Sequence, residues 1–386
     1  MTASYLELVR RRPARRLLYA LSVTTLSFGM LSLVVVLTVE QATGSYRDGG
    51  FAVAAFALFA GITAPARGRL VDRRGARRWL PGLASGYAAA LVALDIAAKS
   101  GGAAWLLIAL SALAGASCPP LFASARAVWP YAVEAELLRR GYAMTALIAD
   151  VGQVAGPVVA SLLFLVSGWP GALVCAVFGV AGALLSLPAR GLAGADVRPA
   201  PMPALRESPK LVGLLCVSVV FGGSLGVVNV AVPAAAGHWD HAALAGPLLG
   251  LFAAGSVTGG LWYGTRHWRA PVLERYLRAA LALGLLLAPA AFAGSAAQLA
   301  PVLFAAGLAF GPANVALFES LDVLAPGSGT EALTWITTAE AGGSAAGSAL
   351  AGILVTRVGV SAPFAVAAVP MVLTAGLALA TLRSRR

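Results

Sequence analysis

The chain is organised as twelve apolar runs separated by short polar segments, and this pattern leaves few options for its fold. Most runs approach the ~20 residues that a helix needs to cross ~30 Å of hydrocarbon, and the two short ones, at 51–64 and 279–293, borrow flanking residues. Backbone that faces lipid must satisfy its own hydrogen bonds, so each run is predicted to be a helix. We therefore expect an all-α membrane protein with twelve transmembrane helices. The runs cover residues 17–39, 51–64, 80–98, 103–123, 143–166, 172–187, 211–232, 242–263, 279–293, 299–318, 332–355 and 362–382.

Composition excludes a soluble fold of this length. Hydrophobic residues make up 59% of the chain and charged residues only 11%, whereas a typical soluble domain has about 25% charged residues. The interior of a soluble protein grows too slowly with chain length to bury so much apolar surface. A lipid bilayer can take the place of that interior, and we expect it to surround the protein.

The basic residues fix the predicted orientation. With the amino terminus placed in the cytoplasm, 25 of the 28 lysines and arginines fall on the cytoplasmic side, and only Arg47, Lys99 and Arg357 fall outside. This asymmetry predicts a multi-pass protein of the cell membrane with both termini cytoplasmic. A nucleic-acid site would instead gather its basic residues on one groove with aromatic residues, so no nucleic-acid partner is expected.

The longest polar stretch, at 189–210, divides the spans into six and six. It contains Pro199, Pro201, Pro203 and Pro209 together with charges of both signs, a composition typical of a linker. We predict an N-terminal six-helix bundle at 1–188, a cytoplasmic linker at 189–210, and a C-terminal six-helix bundle at 211–386.

The two halves repeat each other at an offset near 192 residues. Four pairs of motifs in four pairs of spans share this offset, which chance would rarely produce. Because six spans separate the partners, both copies have one orientation and are related by a pseudo-twofold axis along the membrane normal. Transporters of this plan bind substrate between the halves. The pairs are Gly115 and Pro120 with Gly307 and Pro312, Gly68 with Gly260, Phe28-Gly29 with Phe221-Gly222, and Ala149-Asp150 with Ala339-Glu340.

The loop between spans two and three, at 68–78, has the most specific local pattern. It resembles the signature of the major facilitator superfamily, in which Gly, x, Leu, x, Asp, Arg, x, Gly precedes a basic cluster. With twelve spans in two sets of six, this resemblance covers essentially the whole chain and implies the major facilitator fold. The matching residues are Gly68, Leu70, Asp72, Arg73, Gly75, Arg77 and Arg78.

The resemblance implies that this loop is a cytoplasmic gating latch. Asp72 would lie against the positive N-terminal end of span eleven, and the arginines would pair with nearby acidic groups such as Glu134 or Glu136. The latch would close the inner side in one state and break in the other. The alternative is that these arginines only set the topology. The second-half copy at 260–266 keeps Gly260 but has Gly264 where Asp72 stands, so only the first copy is predicted to act.

Span five contains Gly152, Gly156 and Pro157, which resemble the second half of a motif from the drug/efflux antiporter branch of this family. The earlier glycine of that motif is replaced by Ala143. Glycines four residues apart let a neighbouring helix approach closely, and a proline bends its helix. Export is one interpretation. Plain helix packing is the alternative, because Gly255/Gly259 and Gly343/Gly347 have the same spacing.

Three acidic residues lie well within predicted spans: Asp95, Asp150 and Glu340. An ionised carboxylate at mid-span costs roughly 2.5–3.5 kcal/mol, so such a residue usually faces a cavity or carries a proton. Asp150 and Glu340 are repeat partners and are our candidates for proton coupling. The alternative is a structural role, with bonds to the backbone or to Thr338 or Ser344. Asp95 lies near the outer interface, where we expect it to be solvated.

Polar and aromatic residues within spans are candidates for the substrate cavity. Each could instead bond only to a neighbouring helix. The mostly apolar remainder of the cavity favours an amphipathic substrate over a sugar. The candidates are Ser22, Thr25, Phe28, Gln153, Asn229 and Asn314.

Other chemistries find no support in the sequence. No ATP-binding loop occurs. An outer loop contains His238, Asp240 and His241, and we expect these side chains to be solvated rather than to bind a metal ion. We expect no enzymatic activity, no cofactor and no metal.

The predicted function is alternating-access, proton-coupled efflux of a small organic compound by a monomer. An importer or uniporter of a small metabolite on the same fold is one alternative. A non-transporting receptor or scaffold is the second.

Overall fold

The computed structural model describes residues 11–74, 76–121, 129, 133–165, 171–186, 209–266, 268–324 and 329–384, and within these ranges it contains helices and no strand. The twelve predicted helices are confirmed, and we number them in chain order. They are α1 Arg12–Thr43, α2 Tyr46–Arg74, α3 Ala76–Lys99, α4 Ala104–Ser117, α5 Ala135–Phe164, α6 Gly171–Ser186, α7 Pro209–His238, α8 Ala245–Gly264, α9 Val272–Leu287, α10 Ala296–Leu324, α11 Gly329–Arg357 and α12 Ala362–Ser384.

Local sequence explains where several helices begin and end. Pro13 lies in the first turn of α1, where its missing N–H has no helical partner to lose. Gly44 ends the same helix in the left-handed conformation at φ 68° and donates its N–H to the Glu40 carbonyl. The short run at 279–293 extends as predicted, because α9 begins at Val272 and is followed by a 3-10 turn, Ala288–Phe292.

Span four differs from its prediction, which placed the span at 103–123. Helix α4 ends at Ser117, and Cys118, Pro119 and Pro120 are not helical. A proline lacks the N–H that the next turn needs, and it disfavours helical geometry in the residue before it. The Pro119-Pro120 pair therefore ends the helix early. Helix α7 begins at Pro209, near the end of the predicted linker at 189–210, and residues 189–208 lie outside the described ranges.

The length and composition of the described helices fit a multi-pass membrane protein. Nine of them are long and apolar enough to cross a bilayer, while α4 and α6 are shorter apolar helices. Helix α11 is not among the nine, because residues 339–351 are almost entirely alanine, glycine and serine with one glutamate. Small residues lower the hydropathy but let helices pack closely. Helix α11 accordingly packs closely against α7 and α2.

The helix packing repeats between the halves. In the first half α1 contacts α5 and α6, α2 contacts α4, and α3 contacts α4 and α6. Adding six to each number gives the contacts of the second half: α7 with α11 and α12, α8 with α10, and α9 with α10 and α12. The same five pairings in both sets agree with the duplication that the offset of about 192 residues predicted.

Helices α1 and α7 are the centres of their halves. Their apolar windows are 72% and 61% buried, more than those of the other long spans. Each crosses a partner helix at a glycine, where no side chain separates the two backbones. A Cβ atom on Gly29 of α1 would overlap the backbone of Gly152 in α5, and one on Gly222 of α7 would overlap the backbone of Glu340 in α11. The backbones are in direct contact at these crossings.

We predict that adding a single methyl group at either crossing destabilises the protein. Gly156→Ala would place a Cβ against the backbone of Gly29, and Gly347→Ala would place one against the backbone of Gly223. Overpacking of this kind costs about 1–3 kcal/mol. Thermal unfolding of the purified protein in detergent should give a lower Tm for both variants than for Gly376→Ala, whose Cβ would meet nothing within 4 Å. An unchanged Tm for both variants would contradict the tight crossings.

Candidate substrate and proton pathway

The two halves meet on the side of the protein that we call the far face, where α1 ends and α2 begins. The opposite side, where α1 begins and α12 ends, is called the terminal face. At the far face the Ser161 hydroxyl of α5 accepts a hydrogen bond of 2.7 Å from the Gly246 N–H of α8. The Tyr46 hydroxyl of α2 donates one of 3.3 Å to the Pro233 carbonyl of α7. These bonds close the halves against each other at the far face.

Glycines make the same closure tight between α2 and α11. A Cβ on Gly50 of α2 would approach the Ser348 carbonyl and lie 3.1 Å from the Cα of Gly352 in α11. Nearer the middle of the spans, a Cβ on Gly61 would lie 2.7 Å from that of Ala341. The two helix pairs α2–α11 and α5–α8 therefore form the seal between the halves.

Asp150 lies on the sealing face of α5 but nearer the terminal face. It precedes Pro157 by two helical turns, so both residues are on one side of the helix. Pro157 packs against Gly246 of α8, whereas Asp150 is exposed. One face of α5 is thus closed against α8 at its far end and open at its terminal end. Asp150 is an ionisable residue at that opening.

Gln153 is exposed one turn beyond Asp150, between the side of α5 that contacts α1 and the side that contacts α8. On α1 the Ser22 hydroxyl is also exposed and donates to the Leu18 carbonyl at 3.0 Å. Thr25, predicted beside Ser22, is 3% exposed, donates to the Ser22 carbonyl at 3.1 Å and packs against Gly152. Thr25 therefore lies in the α1–α5 contact, while Ser22 and Gln153 are reachable from the opening.

The remaining cavity candidates are half-buried. Asn229 is on α7, Asn314 is on α10, and Phe28 is on α1. The Phe28 ring packs against the Tyr87 ring of α3 at a centroid distance of 6.4 Å. Phe28 thus has an established packing partner within its own half.

Glu340, the second carboxylate candidate, is half-buried in α11. Its backbone packs against Gly222 of α7. The Tyr276 hydroxyl of α9 is within electrostatic reach of its carboxylate and is itself fully buried. Asp150 and Glu340 occupy equivalent places in the repeat but different surroundings, since Asp150 is exposed and Glu340 is enclosed.

A repeated aromatic pair behind these helices was missed by the sequence analysis. Phe221 of α7 packs on Tyr276 of α9 at 6.3 Å, as Phe28 packs on Tyr87 in the first half. The Tyr87 hydroxyl is 3.4 Å from the Ser27 hydroxyl of α1, and the Tyr276 hydroxyl lies near Ser218 of α7. The offset between the halves was the signal that could have revealed the pair, because Tyr87 and Tyr276 also obey it.

The motif in α5 is part of the packing with α1. Gly152 lies against Thr25, and Gly156 lies against Gly29. Pro157 stands inside α5 and its carbonyl faces Gly246 of α8. The two glycines thus set the distance within the first half, while Pro157 stands at the seam between the halves.

The described part of the predicted latch is small. Gly68 is half-buried near the end of α2, and Arg77 and Arg78 are exposed at the start of α3. The side chains of Asp72 and Arg73 and the whole of Gly75 lie outside the described residues. Glu134, proposed as a partner of the latch arginines, is ion-paired with Arg11 at 3.1 Å. Asp95, expected to be solvated, is ion-paired with Lys99 at 2.7 Å.

A second basic cluster, also missed by the sequence analysis, lies at the terminal face between α8, α9 and α10. Arg275 of α9 is ion-paired with Glu319 of α10 at 3.2 Å, and it also donates a hydrogen bond to the Tyr263 hydroxyl of α8. Trp268 stacks on Tyr263 at 4.9 Å. The cluster occupies the repeat position of the latch loop, and the density of Trp and Arg residues at 262–278 was the signal for it.

Within the described ranges, no group of three or more His, Cys, Asp or Glu side chains is placed to hold a metal ion. His238 is the last residue of α7, and Asp240 follows it with a positive φ of 57°.

The family of the chain follows from its sequence and its fold together. A sequence profile described as Major Facilitator Superfamily matches residues 17–341. The chain belongs to the major facilitator superfamily. The sequence of this transporter matches that of no curated protein.

Solved structures of other transporters share the fold of this major facilitator protein. The nucleoside transporter NupG aligns with a TM-score of 0.73 at 12% identity over 96% of this chain and 99% of that chain. A bacterial homologue of the iron transporter ferroportin, in an inward-facing state, gives 0.72 at 13% identity over 95% and 97%. The human organic anion transporter MFSD10 (TETRAN) gives 0.66 at 17% identity over 95% and 99%. The likeness establishes the fold, and the different cargoes named leave the substrate open.

We predict that a cysteine at position 153 reacts with a water-soluble thiol reagent far faster than one at position 161. Gln153 is exposed in the opening, whereas Ser161 is 3% exposed and bonded to Gly246 across the seal. The measurement uses Gln153→Cys and Ser161→Cys transporters in a Cys216→Ser background, because the other two native cysteines are buried. Equal rates at the two positions would show that the far face is not sealed.

Proposed function

We propose that this transporter works by alternating access as a proton-coupled exporter of small amphipathic organic compounds. The proposal rests on one observation above others: Asp150 is exposed on the same face of α5 that is sealed against α8 two turns further on. A carboxylate there changes its surroundings whenever the halves rock. Its protonation and the rocking are therefore linked.

The physical link is the cost of burying a charge. When the halves close at the terminal face, the open part of α5 approaches α8 and Asp150 loses its water. Placing an ionised carboxylate within a span costs roughly 2.5–3.5 kcal/mol, and a bound proton removes that charge. Proton binding to Asp150 thus favours closure of the terminal face, and proton release accompanies its reopening.

Glu340 is the proposed second member of the coupling pair. It is the repeat partner of Asp150, and it lies in α11, which forms the other half of the seal with α2. Its carboxyl group is half-buried and within electrostatic reach of the Tyr276 hydroxyl. The two carboxyl groups thus belong to α5 and α11, two of the helices that contact the opposite half.

The proposed substrate class rests on the few polar residues assigned to the site. Ser22 and Gln153 are exposed on α1 and α5, we assign the half-buried Asn229 and Asn314 to the same cavity, and the rest of these helices is mostly alanine, glycine, valine and leucine. Sites of this type favour a largely apolar cargo with few hydrogen-bonding groups. We therefore propose an amphipathic substrate, with Thr25 and Phe28 supporting the site from within the first half.

The remaining parts of the mechanism follow the same proposal. The moving units are 1–188 and 211–386, joined by 189–210. The loop with Gly68, Asp72, Arg73, Gly75, Arg77 and Arg78 acts as the latch that holds the terminal face shut. Because basic residues are concentrated on that side, we propose that it faces the cytoplasm and that the membrane is the cell membrane. We also propose that the protein acts as a monomer.

We predict that neutralising either carboxylate uncouples transport from the proton gradient. Asp150→Asn and Glu340→Gln imitate the protonated side chains, so the gradient can no longer load or unload a proton there. Inside-out vesicles containing the transporter should accumulate ethidium or rhodamine when acidified inside, and both variants should lose this gradient-driven accumulation. Asp95→Asn is the matched control, because Asp95 is ion-paired with Lys99 at the far face.

The same vesicles distinguish the alternatives. Accumulation that persists in both carboxylate variants would refute proton coupling at this pair. No accumulation by the unmodified protein, combined with uptake in right-side-out vesicles, would instead identify an importer. Asp150→Asn should still exchange dye across the membrane without a gradient, which separates a loss of coupling from a loss of folding.

A further inference from the structure

A cavity of about 330 Å³ lies between α8, α9 and α10, away from the contacts between the halves. It begins at the terminal face beside the basic cluster and continues along α9 towards the middle of the membrane. We call it the α9 groove. Its walls include Arg275, Arg278 and Ala282 of α9 and Leu308 of α10. None of these residues takes part in the proposed transport pathway.

The polarity of the α9 groove changes along its length. Arg275 and Arg278, then Ala279, Ala282 and Leu286, recur on one face of α9 at helical spacing. Between Arg278 and Leu286 the helix rises by about 12 Å, at about 1.5 Å per residue. The groove is thus cationic at the membrane surface and purely apolar at depth. A charged head with an attached hydrocarbon chain has the complementary form.

The basic end carries an excess of positive charge. Arg275 is ion-paired with Glu319, and Arg278 is ion-paired with Glu274 one turn before it. Arg266 and Arg269 stand in the α8–α9 connection without an acidic residue between them in the sequence. The four arginines therefore exceed the two carboxylates by two positive charges. The buried Nε of Arg275 also has no hydrogen-bond partner among the described residues.

The rim of the groove has the residues that proteins place at a membrane surface. Trp262 and Trp268 both line it, pack against each other at 5.6 Å, and are 48% and 37% exposed. Tryptophan is enriched where headgroups meet hydrocarbon, since its ring is apolar and its N–H is polar. Deeper in the groove, Leu286 and Leu308 are also exposed. The groove therefore opens sideways, towards lipid rather than towards the space between the halves.

We propose that the α9 groove binds one anionic glycerophospholipid from the surrounding leaflet. The phosphate lies against Arg278 and the edge of Arg275, and one acyl chain follows Ala282 and Leu286. Basic pockets between spans on the cytoplasmic side suit such headgroups. A soluble phosphate compound would satisfy the arginines alone and leave the apolar part of the groove empty, so the acyl chain is part of the recognition.

The position of the α9 groove suggests that a bound lipid would stabilise the second half. It takes the place in the second half that the latch loop takes in the first, and it touches all three helices α8, α9 and α10. A bound lipid would fill the space between them where the chain supplies no side chain. The second half would thus gain from the bilayer the contacts that its diverged loop no longer provides.

The test is native mass spectrometry of the full-length transporter, purified in detergent and mixed with dioleoylphosphatidylglycerol or dioleoylphosphatidylcholine. We expect one phosphatidylglycerol molecule to be retained per protein in preference to phosphatidylcholine. Arg278→Ala should weaken that binding about fivefold, as the loss of one basic contact implies, while Arg278→Lys should retain most of it. Arg275 is left intact, because it also bonds Tyr263 and Glu319.

Two further variants test the apolar part. Ala282→Trp fills the groove without changing its charge and should abolish the preferential lipid. Leu285→Trp is the matched control, since Leu285 is exposed on the same helix but does not line the groove. Arg12→Ala removes an exposed charge from α1 on the same face and should have no effect. A Tm for each variant identifies those that fail to fold.

Three outcomes would overturn the proposal. Equal retention of the two lipids by the unmodified protein would mean that no anionic site exists. Equal effects of Arg278→Ala and Arg12→Ala would mean that only the overall charge attracts lipid. Competition by soluble glycerol phosphate as strong as that by the intact lipid would mean that the site binds a free phosphate compound.

Discussion

Direct contact between helix backbones is the interaction on which this structure depends. In a bilayer the lipid tails are as apolar as leucine, so hydrophobicity alone cannot hold spans together and close packing must do so. Glycines make that contact at the crossing of α1 with α5 and again at the crossing of α7 with α11. The seal between the halves also depends on glycines, because Gly50 and Gly246 let the helix backbones of opposite halves come into contact. Small residues thus set both the contacts within a half and those between the halves.

The two kinds of contact differ in what supports them. Within a half, the crossings are long and lie beside the buried cores of α1 and α7. Between the halves, glycine contacts are joined by isolated hydrogen bonds such as that from Gly246 to Ser161. A hydrogen bond contributes only about 0.5–1.5 kcal/mol net. These hydrogen bonds are thus a small part of the seal, and the packing of α2 against α11 and of α5 against α8 is the larger part. The alternating access proposed above requires the halves to exchange this packing while each half moves as a unit.

The sequence predicted the number of helices and their pairing because both follow from long-range patterns. The number of apolar runs predicts the number of spans. The offset near 192 residues predicts the duplication, and the packing of α7 on α11 repeats that of α1 on α5. Details set by single contacts were harder to predict. The Pro119-Pro120 pair ends α4 early, which a count of apolar residues ignores. Thr25 was grouped with Ser22 by spacing, but its contact with Gly152 depends on how close α5 comes.

The divergence of the two halves explains why the second half was harder to interpret than the first. The first half keeps a charged loop between α2 and α3, so its sequence still matches a known signature. In the second half, Gly264 stands at the place of the acidic residue, Arg266 and Arg269 remain in the loop, and Arg275 of α9 pairs with Glu319 of α10. These charges belong to an aromatic and basic cluster that no motif describes. Duplicated halves that keep their packing can change their partners, because helix crossings constrain the glycines and leave the loops free.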